Sequence, residues 1–331
     1  MQQSPAADAV RVRTESLQHF VAELYKRVPI PEEHADLIAH LLVETQMRGV
    51  FTHGLRQVER YLSSFQGGTL NTHPRTRVLK DRPVTTAMDG DCGLGIIAAD
   101  QAIKITIAKA QSHGVAVTTT THHGHIGSCG KYVRQALHEG LVAFCFAGRN
   151  LTSDATWTSD DELWITMHGA PGAAFGLPSG DGLPDFLLDM ACRLFSDNDE
   201  ILERWPSVIF KMMGMSHMVN LMTGPLAGQM VGASEGRHVS YTESIQSGFY
   251  MAIDPEHFGG REAYFDDINQ LMHGVRRLRP FKGYDTASMA GGPEHEHEAE
   301  CQCHGVPVWG DVRESLERMG NRYDVPVPWA A

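Results

Sequence analysis

Three of the four residues from His122 to His125 are histidines, and glycines follow at Gly127 and Gly130. Imidazole is the side chain whose ordinary pKa lies closest to neutrality, so such a run can do several kinds of chemistry. One histidine held by a tightly shaped loop could serve as a general acid–base catalyst. Three could contribute to a zinc site, but that needs three or four ligands with compatible directions, which HHGH alone does not supply. A polar loop without chemistry fits the same spacing, and spacing alone leaves the three readings open.

Two further clusters carry reactive types. In "ETQMRGVFTHGLRQVERY" (Glu44 to Tyr61), Arg48, Thr52, His53 and Arg56 gather around a helix break. Guanidinium forks and imidazoles donate well to a planar carboxylate; a charged interhelical corner reads the same way. In "GPEHEHEAECQCHG" (Gly292 to Gly305), thiols and imidazoles sit close enough to suggest zinc or copper, while a solvated, mobile loop explains the tract equally well. "DGDCGLG" (Asp89 to Gly95) lacks the glycine order of a dinucleotide fingerprint and reads as a turn into a helix, so a Rossmann fold is not expected.

The elements that must position these residues follow from periodicity. Helices are expected from Thr14, from Pro31 to Met47 with acidic Glu32 and Glu33 in its first turn, and from His53 to about Phe65. The first 12 residues read as a loose polar arm. "PVTTAMDG", "VAVTTTT", "LVAFCFAG", "ELWITM", "DFLLDMA" and "GFYMAID" read as strands. "AADQAIKITIAKAQSHG" and "KYVRQALHEG" read as helices between them, and two more helices are expected around Phe265–Leu278 and Val312–Met319. The alternation implies an α/β layer structure: a helical region over residues 1–75, packed with C-terminal helices in 255–331, beside a mixed-sheet domain over 76–254. The histidine loop then lies beyond the C-terminal end of a strand, where α/β proteins usually place their chemistry.

Bulk properties narrow the function. At 331 residues the chain can hold two folding units, and a net charge of -12 disfavours binding to phosphate backbones. The N-terminus has no secretory pattern, and six scattered cysteines are no disulfide framework, so a cytoplasmic protein is expected. The apolar stretch from Met212 to Ala233 contains Ser216, His217, Asn220, Pro225 and Gln229, which favours a buried helix over a membrane span. Its Gly224 and Gly228 suggest close helix packing.

Taken together, these segments resemble the malate/L-lactate/ureidoglycolate dehydrogenase family, whose members are non-Rossmann NAD(P)-dependent 2-hydroxyacid dehydrogenases and include sulfolactate dehydrogenase and piperideine-carboxylate reductase. "RGVFTHGLRQVERY" is similar to the family's R-G-x-x-S-H-G segment ending in Tyr. "GHIGSCGKYVRQALHEGLV" is similar to its H-x-G-x-x-x-Y-y-v-x-x-A loop and helix, "DFLLDMA" to its D-M-A strand, "FKMMGMSHMVNLMTGPLAG" to its K-G-x-G-L helix and tail, and "GFYMAIDPEHF" to a further strand.

The resemblance implies a sulfolactate-dehydrogenase-like fold and hydride transfer between NAD or NADP and a small 2-oxo acid or cyclic imino acid. It implies a homodimer with the active site near the subunit interface. His125 falls on the family's acid–base histidine, with His122 and His123 as neighbours. Thr52 and His53 fall on its Ser-His substrate positions, with Arg48 or Arg56 beside them; Asp189, Met190, Ala191 and Lys211 fall on its cofactor positions. The chain departs from the family at Gln57, where the substrate-binding arginine would stand, at Ala170 and at Met212; Asp189 to Lys211 is also shorter than the family usually shows. These departures leave two other expectations: a family member that has lost redox activity and binds a ligand or partner, or a metal-binding protein using the 294–304 tract.

Overall fold

A computed structural model of the chain describes residues 9–149, 157–167, 171–180, 182–193, 199–228 and 240–329. Its centre is a mixed seven-stranded sheet of strands β2 (Arg77–Arg82), β3 (Thr85–Asp89), β4 (Val115–His123), β5 (Val142–Gly148), β6 (Gly172–Leu177), β7 (Phe186–Ala191) and β8 (Gln246–Ile253). The spatial order is β2-β3-β4-β8-β5-β6-β7. Only β3 and β4 run parallel; every other neighbouring pair is antiparallel. A doubly wound dinucleotide fold is a mostly parallel sheet, so the fold is α/β but not Rossmann.

Strand alternation assigns each residue to a face. Ala116, Ala143, Cys145, Ala174, Tyr250 and Ala252 join the main core under helices α4 (Gly95–His113) and α5 (Gly130–His138). Their neighbours one residue away, Val117, Phe146, Ala173 and Phe249, pack on the other side, where helix α7 (Pro206–Thr223) lies, preceded by the short α6 (Asp199–Arg204). Small side chains on the first face let α4 and α5 approach the sheet closely. Gly114, at φ 85°, ends α4 and turns the chain straight into β4.

The main core continues without a break into helices α1 (Thr14–Lys26), α2 (Glu32–Met47) and α3 (Val58–Gln66), and into the C-terminal part of the chain. That part contains α8 (Arg261–Arg276), α9 (Gly292–His304) and α10 (Gly310–Tyr323). Strand β1 (Val10–Val12) pairs antiparallel with β9 (Val306–Val308) in a separate two-stranded ribbon.

Several sequence expectations change. Residues 10–12 are a strand, not part of a loose arm, because β9 supplies a partner almost 300 residues away. Leu163–Met167 is a 3-10 helix rather than a strand. Strand β2 escapes notice because all six of its residues are exposed on the sheet edge, and β6 because "GAAFGL" is built from small residues. Helix α7 ends at Thr223, so Gly224 and Gly228 lie in the turns that follow it rather than within the helix. Its apolar character is also only half buried: Phe210, Met218 and Leu221 are exposed. Residues 229–233 of that stretch lie outside the described residues. The 292–304 tract is helical rather than a mobile loop. Among the described residues no helix is long and apolar enough to cross a membrane.

Candidate active site

The three histidines separate at the end of β4. The strand pairs regularly with β8 as far as Thr120, and the register then slips before His123 pairs with Gln246. His122 takes φ 52° at that irregularity. The kink sends the three imidazoles to different surroundings. His122 turns toward Asp89 at the end of β3, 3.7 Å away. Burial alone would raise the Asp89 carboxyl, but hydrogen bonds from His122, the Asp91 N–H and Arg77 hold it down to about 2. His123 is fully buried. Its Nδ1 donates to the Gly124 carbonyl at 2.8 Å, and its Nε2 accepts from the Thr120 hydroxyl at 2.8 Å. Both nitrogens are satisfied, and burial lowers its pKa to about 4, so His123 is a neutral structural residue.

His125 alone of the three lines a cleft, a cavity of about 400 Å³ that also touches Thr52, His53, Gly127, Ser128 and Asp189. The Tyr61 hydroxyl, brought in by α3, lies 2.7 Å from His125 Nδ1. The His53 ring stacks on His125 at 5.5 Å between centroids, and Thr52 Oγ1 is 2.9 Å from His53 Nδ1. Burial, then the neighbouring Arg60, the His53 ring and Lys131, push His125 down to about 3. Burial, then Lys131 and Arg60, push His53 down to about 4. Both rings are therefore neutral at physiological pH. Burial pushes the Tyr61 phenol far above its ordinary range, so its proton stays on oxygen. Tyr61 thus engages Nδ1 as an undissociated phenol, able to donate to it or accept from it, and leaves Nε2 for a ligand.

Asp189, Met190 and Ala191, from the end of β7, line the same cleft. Asp189 accepts the Gly130 N–H at 2.9 Å; it is exposed where β7 meets the cleft, and the protein crowding its carboxyl raises it to about 6. Asp189, Val50 and Ser128 also border a second cavity of about 510 Å³, which extends toward Phe281 and Gly291. The two cavities thus share a wall.

The other expected residues lie elsewhere. Arg48 is buried and bound to Glu298 at 3.1 Å. Arg56 pairs with Asp311 on α10 at 2.9 Å and is outside the cleft. Gln57 caps the neighbouring loop, donating to the Thr52 carbonyl at 2.7 Å. Lys211 is exposed on α7 and lines neither cavity, while Met212 packs against the apolar residues around Phe146. His168, Gly169 and Ala170 lie outside the described residues.

In the 294–304 tract, Glu298 binds both Arg48 and Arg134, the latter at 2.9 Å, and His297 Nδ1 donates to the Met47 carbonyl at 2.6 Å. These groups hold α9 against α2 and α5. Among the described residues no three His, Cys, Asp or Glu side chains converge as a metal site, and the metal reading loses its basis there. Residue patterns missed one member of the site and one buried neighbour of it. Tyr61 was visible only as the last residue of a family segment, and Lys131 was passed over inside a helix.

Comparison with known proteins identifies the chemistry this arrangement serves. The chain is 24% identical to the malate dehydrogenase of Pyrococcus horikoshii over 353 aligned positions, spanning 96% of each protein. It is 28% identical to the L-sulfolactate dehydrogenase of Methanocaldococcus jannaschii over 303 positions, 83% of this chain and 86% of that one. The solved structure of the Pyrococcus horikoshii malate dehydrogenase superposes with a TM-score of 0.82 at 25% identity, covering 98% of both chains. A Δ1-piperideine-2-carboxylate reductase from Pseudomonas syringae shares the fold at a TM-score of 0.68 and 21% identity, over 94% of this chain and 99% of that one. The chain is thus an oxidoreductase of the hydroxyacid dehydrogenase class. It belongs to the malate/L-lactate dehydrogenase family, whose sequence profile matches residues 12–204 and 197–317.

Proposed function

We propose that this protein interconverts a small 2-oxo acid, or a cyclic imino acid, with the corresponding 2-hydroxy acid or amino acid, using NAD or NADP. The observation that carries the reading is the neutral His125 in the cleft, hydrogen-bonded at Nδ1 to Tyr61 and stacked on His53. A nicotinamide cofactor fits the surroundings: the cavity at His125 and a larger one lie side by side along Asp189, giving an extended dinucleotide room on both sides of that residue. Asp189, Met190 and Ala191 would hold it at that wall, and Lys211 would have to approach from outside the lining. When bound, the cofactor supplies or accepts the hydride.

The chain's own residues handle the proton. In reduction, His125 Nε2–H donates to the oxygen that becomes the hydroxyl. The ring takes that proton from solvent for the step, so its loss returns His125 to the neutral form while Tyr61 keeps its own proton and its hydrogen bond to Nδ1. In oxidation neutral His125 accepts the hydroxyl proton at Nε2 and passes it on to solvent. The Thr52 hydroxyl and the His53 ring orient the substrate beside His125. His122 and His123 stay outside this step.

The reading includes a cytoplasmic location, and division into a 1–75 and 255–331 body beside a 76–254 body. Contacts of α10 with α1 and α3 support that division. It also includes a homodimer, supported by the exposed apolar side chains of Trp205, Phe210, Leu221, Phe281 and Tyr284.

Titration with NADH and then NADPH, followed by nucleotide fluorescence, tests the central claim. Micromolar binding of either, then nucleotide oxidation with one of a panel of 2-oxo acids and cyclic imines, is the expected result. Absence of binding up to millimolar nucleotide would refute it.

A further inference from the structure

We propose that Lys131 provides the positive charge that binds the substrate's carboxylate in the His125 cleft. The inference rests on the proposed oxidoreductase reading and supplies something that reading lacks. A 2-oxo acid needs a cation, and the two arginines that the sequence puts forward for that role are committed. Arg48 is held by Glu298, and Arg56 by Asp311. The neutral Gln57 is turned to a backbone carbonyl.

Lys131 is different. It stands on the first turn of α5, where the loop pattern quoted above has its tyrosine, and only 4% of the residue is exposed. Its Nζ is buried and has no hydrogen-bond partner among the described residues. An ammonium in that state is costly unless something satisfies it. The group lies directly against Gly127, so close that a Cβ there would collide with Nζ. Gly127, at φ 78°, also lines the His125 cleft. Lys131 itself lines the adjoining cavity rather than the cleft, and the missing side chain at Gly127 leaves the ammonium separated from the cleft by little more than glycine backbone.

Every element around Lys131 contributes a group that bears on its charge. Glu44 from α2 favours the ammonium but is already bound by Arg134 at 2.6 Å. Asp189 from β7 favours it too, but accepts from the Gly130 N–H. The Cys129 and Cys145 thiols lie near it, and the Tyr132 ring centroid is 5.3 Å from Nζ. His53 and His125, on the cleft side, are neutral and feel its repulsion. Burial outweighs these influences and lowers Lys131 to about 8. The ammonium is thus present at neutral pH, poorly compensated, and an arriving carboxylate would complete it.

The test measures the affinity of oxamate, a stable 2-oxo acid analogue, by calorimetry with and without saturating NADH, for the wild type and Lys131→Met. The expected result is binding by the wild type that weakens as pH rises through 8. In Lys131→Met, binding should be roughly 10- to 100-fold weaker and flat with pH. The affinity for NADH should be equal in the two proteins. His53 and His125, at about 4 and 3, cannot produce a change near pH 8. Thermal melting checks that the variant folds, and it should melt no lower than the wild type because an uncompensated buried charge has been removed. Equal oxamate affinity in the two proteins, no oxamate binding by NADH-loaded wild type, or a loss confined to NADH would overturn the proposal while leaving the oxidoreductase reading standing. Failure of the wild type to bind either nucleotide would refute that reading, and this inference with it.

Discussion

Neighbours, not sequence position, divide the labour among the clustered histidines. His123 has both nitrogens engaged inside the protein, His122 answers to Asp89, and only His125 meets a cleft. His125→Ala should therefore lower turnover by about 10²- to 10⁴-fold while leaving nucleotide affinity nearly unchanged. Steady-state kinetics beside a fluorescence titration separates the two, and an equal loss in His122→Ala would contradict the single-catalyst assignment. Tyr61→Phe keeps the ring and removes the hydrogen bond to Nδ1, so turnover should fall tenfold or more with little change in melting temperature. The loop's place after a strand marked the histidine run, and the choice of His125 within it came from the family resemblance rather than from residue types. Tyr61 and Lys131 were not legible, because each is brought to the site by tertiary packing between segments more than 60 residues apart or by burial that no local pattern reports.

At the scale of elements, strands with long apolar or threonine-rich runs were readable, because β-branched and apolar residues suit a buried central sheet. The exposed edge strand β2 and the small-residue strand β6 carry no such signal. Helix α9 was misread for a related reason. Its alternating Glu and His residues show no apolar period, and its place is set by ion pairs to partners far away in sequence. Glu298 joins α9 to Arg48 at the end of α2 and Arg134 on α5 with little solvent access. Burial would raise the Glu298 carboxyl, but the two guanidiniums hold it below its ordinary range. Glu298→Ala would leave buried Arg48 without its carboxylate while Arg134 keeps Glu44, and should cost about 3 kcal/mol, measurable by urea denaturation. A loss below about 0.5 kcal/mol would mean the network is as weak as a surface ion pair.

For the whole molecule, the depressed imidazoles have a consequence for acid stability. His53, His123 and His125 are held at about 4, 4 and 3, against 6.5 in an unfolded chain. Between those limits the unfolded state takes up protons that the folded state refuses, so stability is full above about pH 6.5 and is lost as pH falls toward 4. Asp189, raised to about 6, acts in the opposite sense, and its contribution is present at low pH and lost as pH rises through 6. Three groups oppose one, so calorimetry should show the melting temperature falling by several degrees from pH 7 to pH 5. A constant melting temperature would show that these rings are solvated. The exposed apolar residues on α7 and near Phe281 predict a dimer in sedimentation velocity at micromolar concentration, and a monomer there would contradict the homodimer.

The small ribbon of β1 and β9 bears on how the chain reaches this state. Val10–Val12 can find its partner only after Val306–Val308 has left the ribosome. The clasp therefore closes only after almost 300 further residues have been synthesised, and the earlier strand must wait unpaired while the helices and sheet behind it assemble.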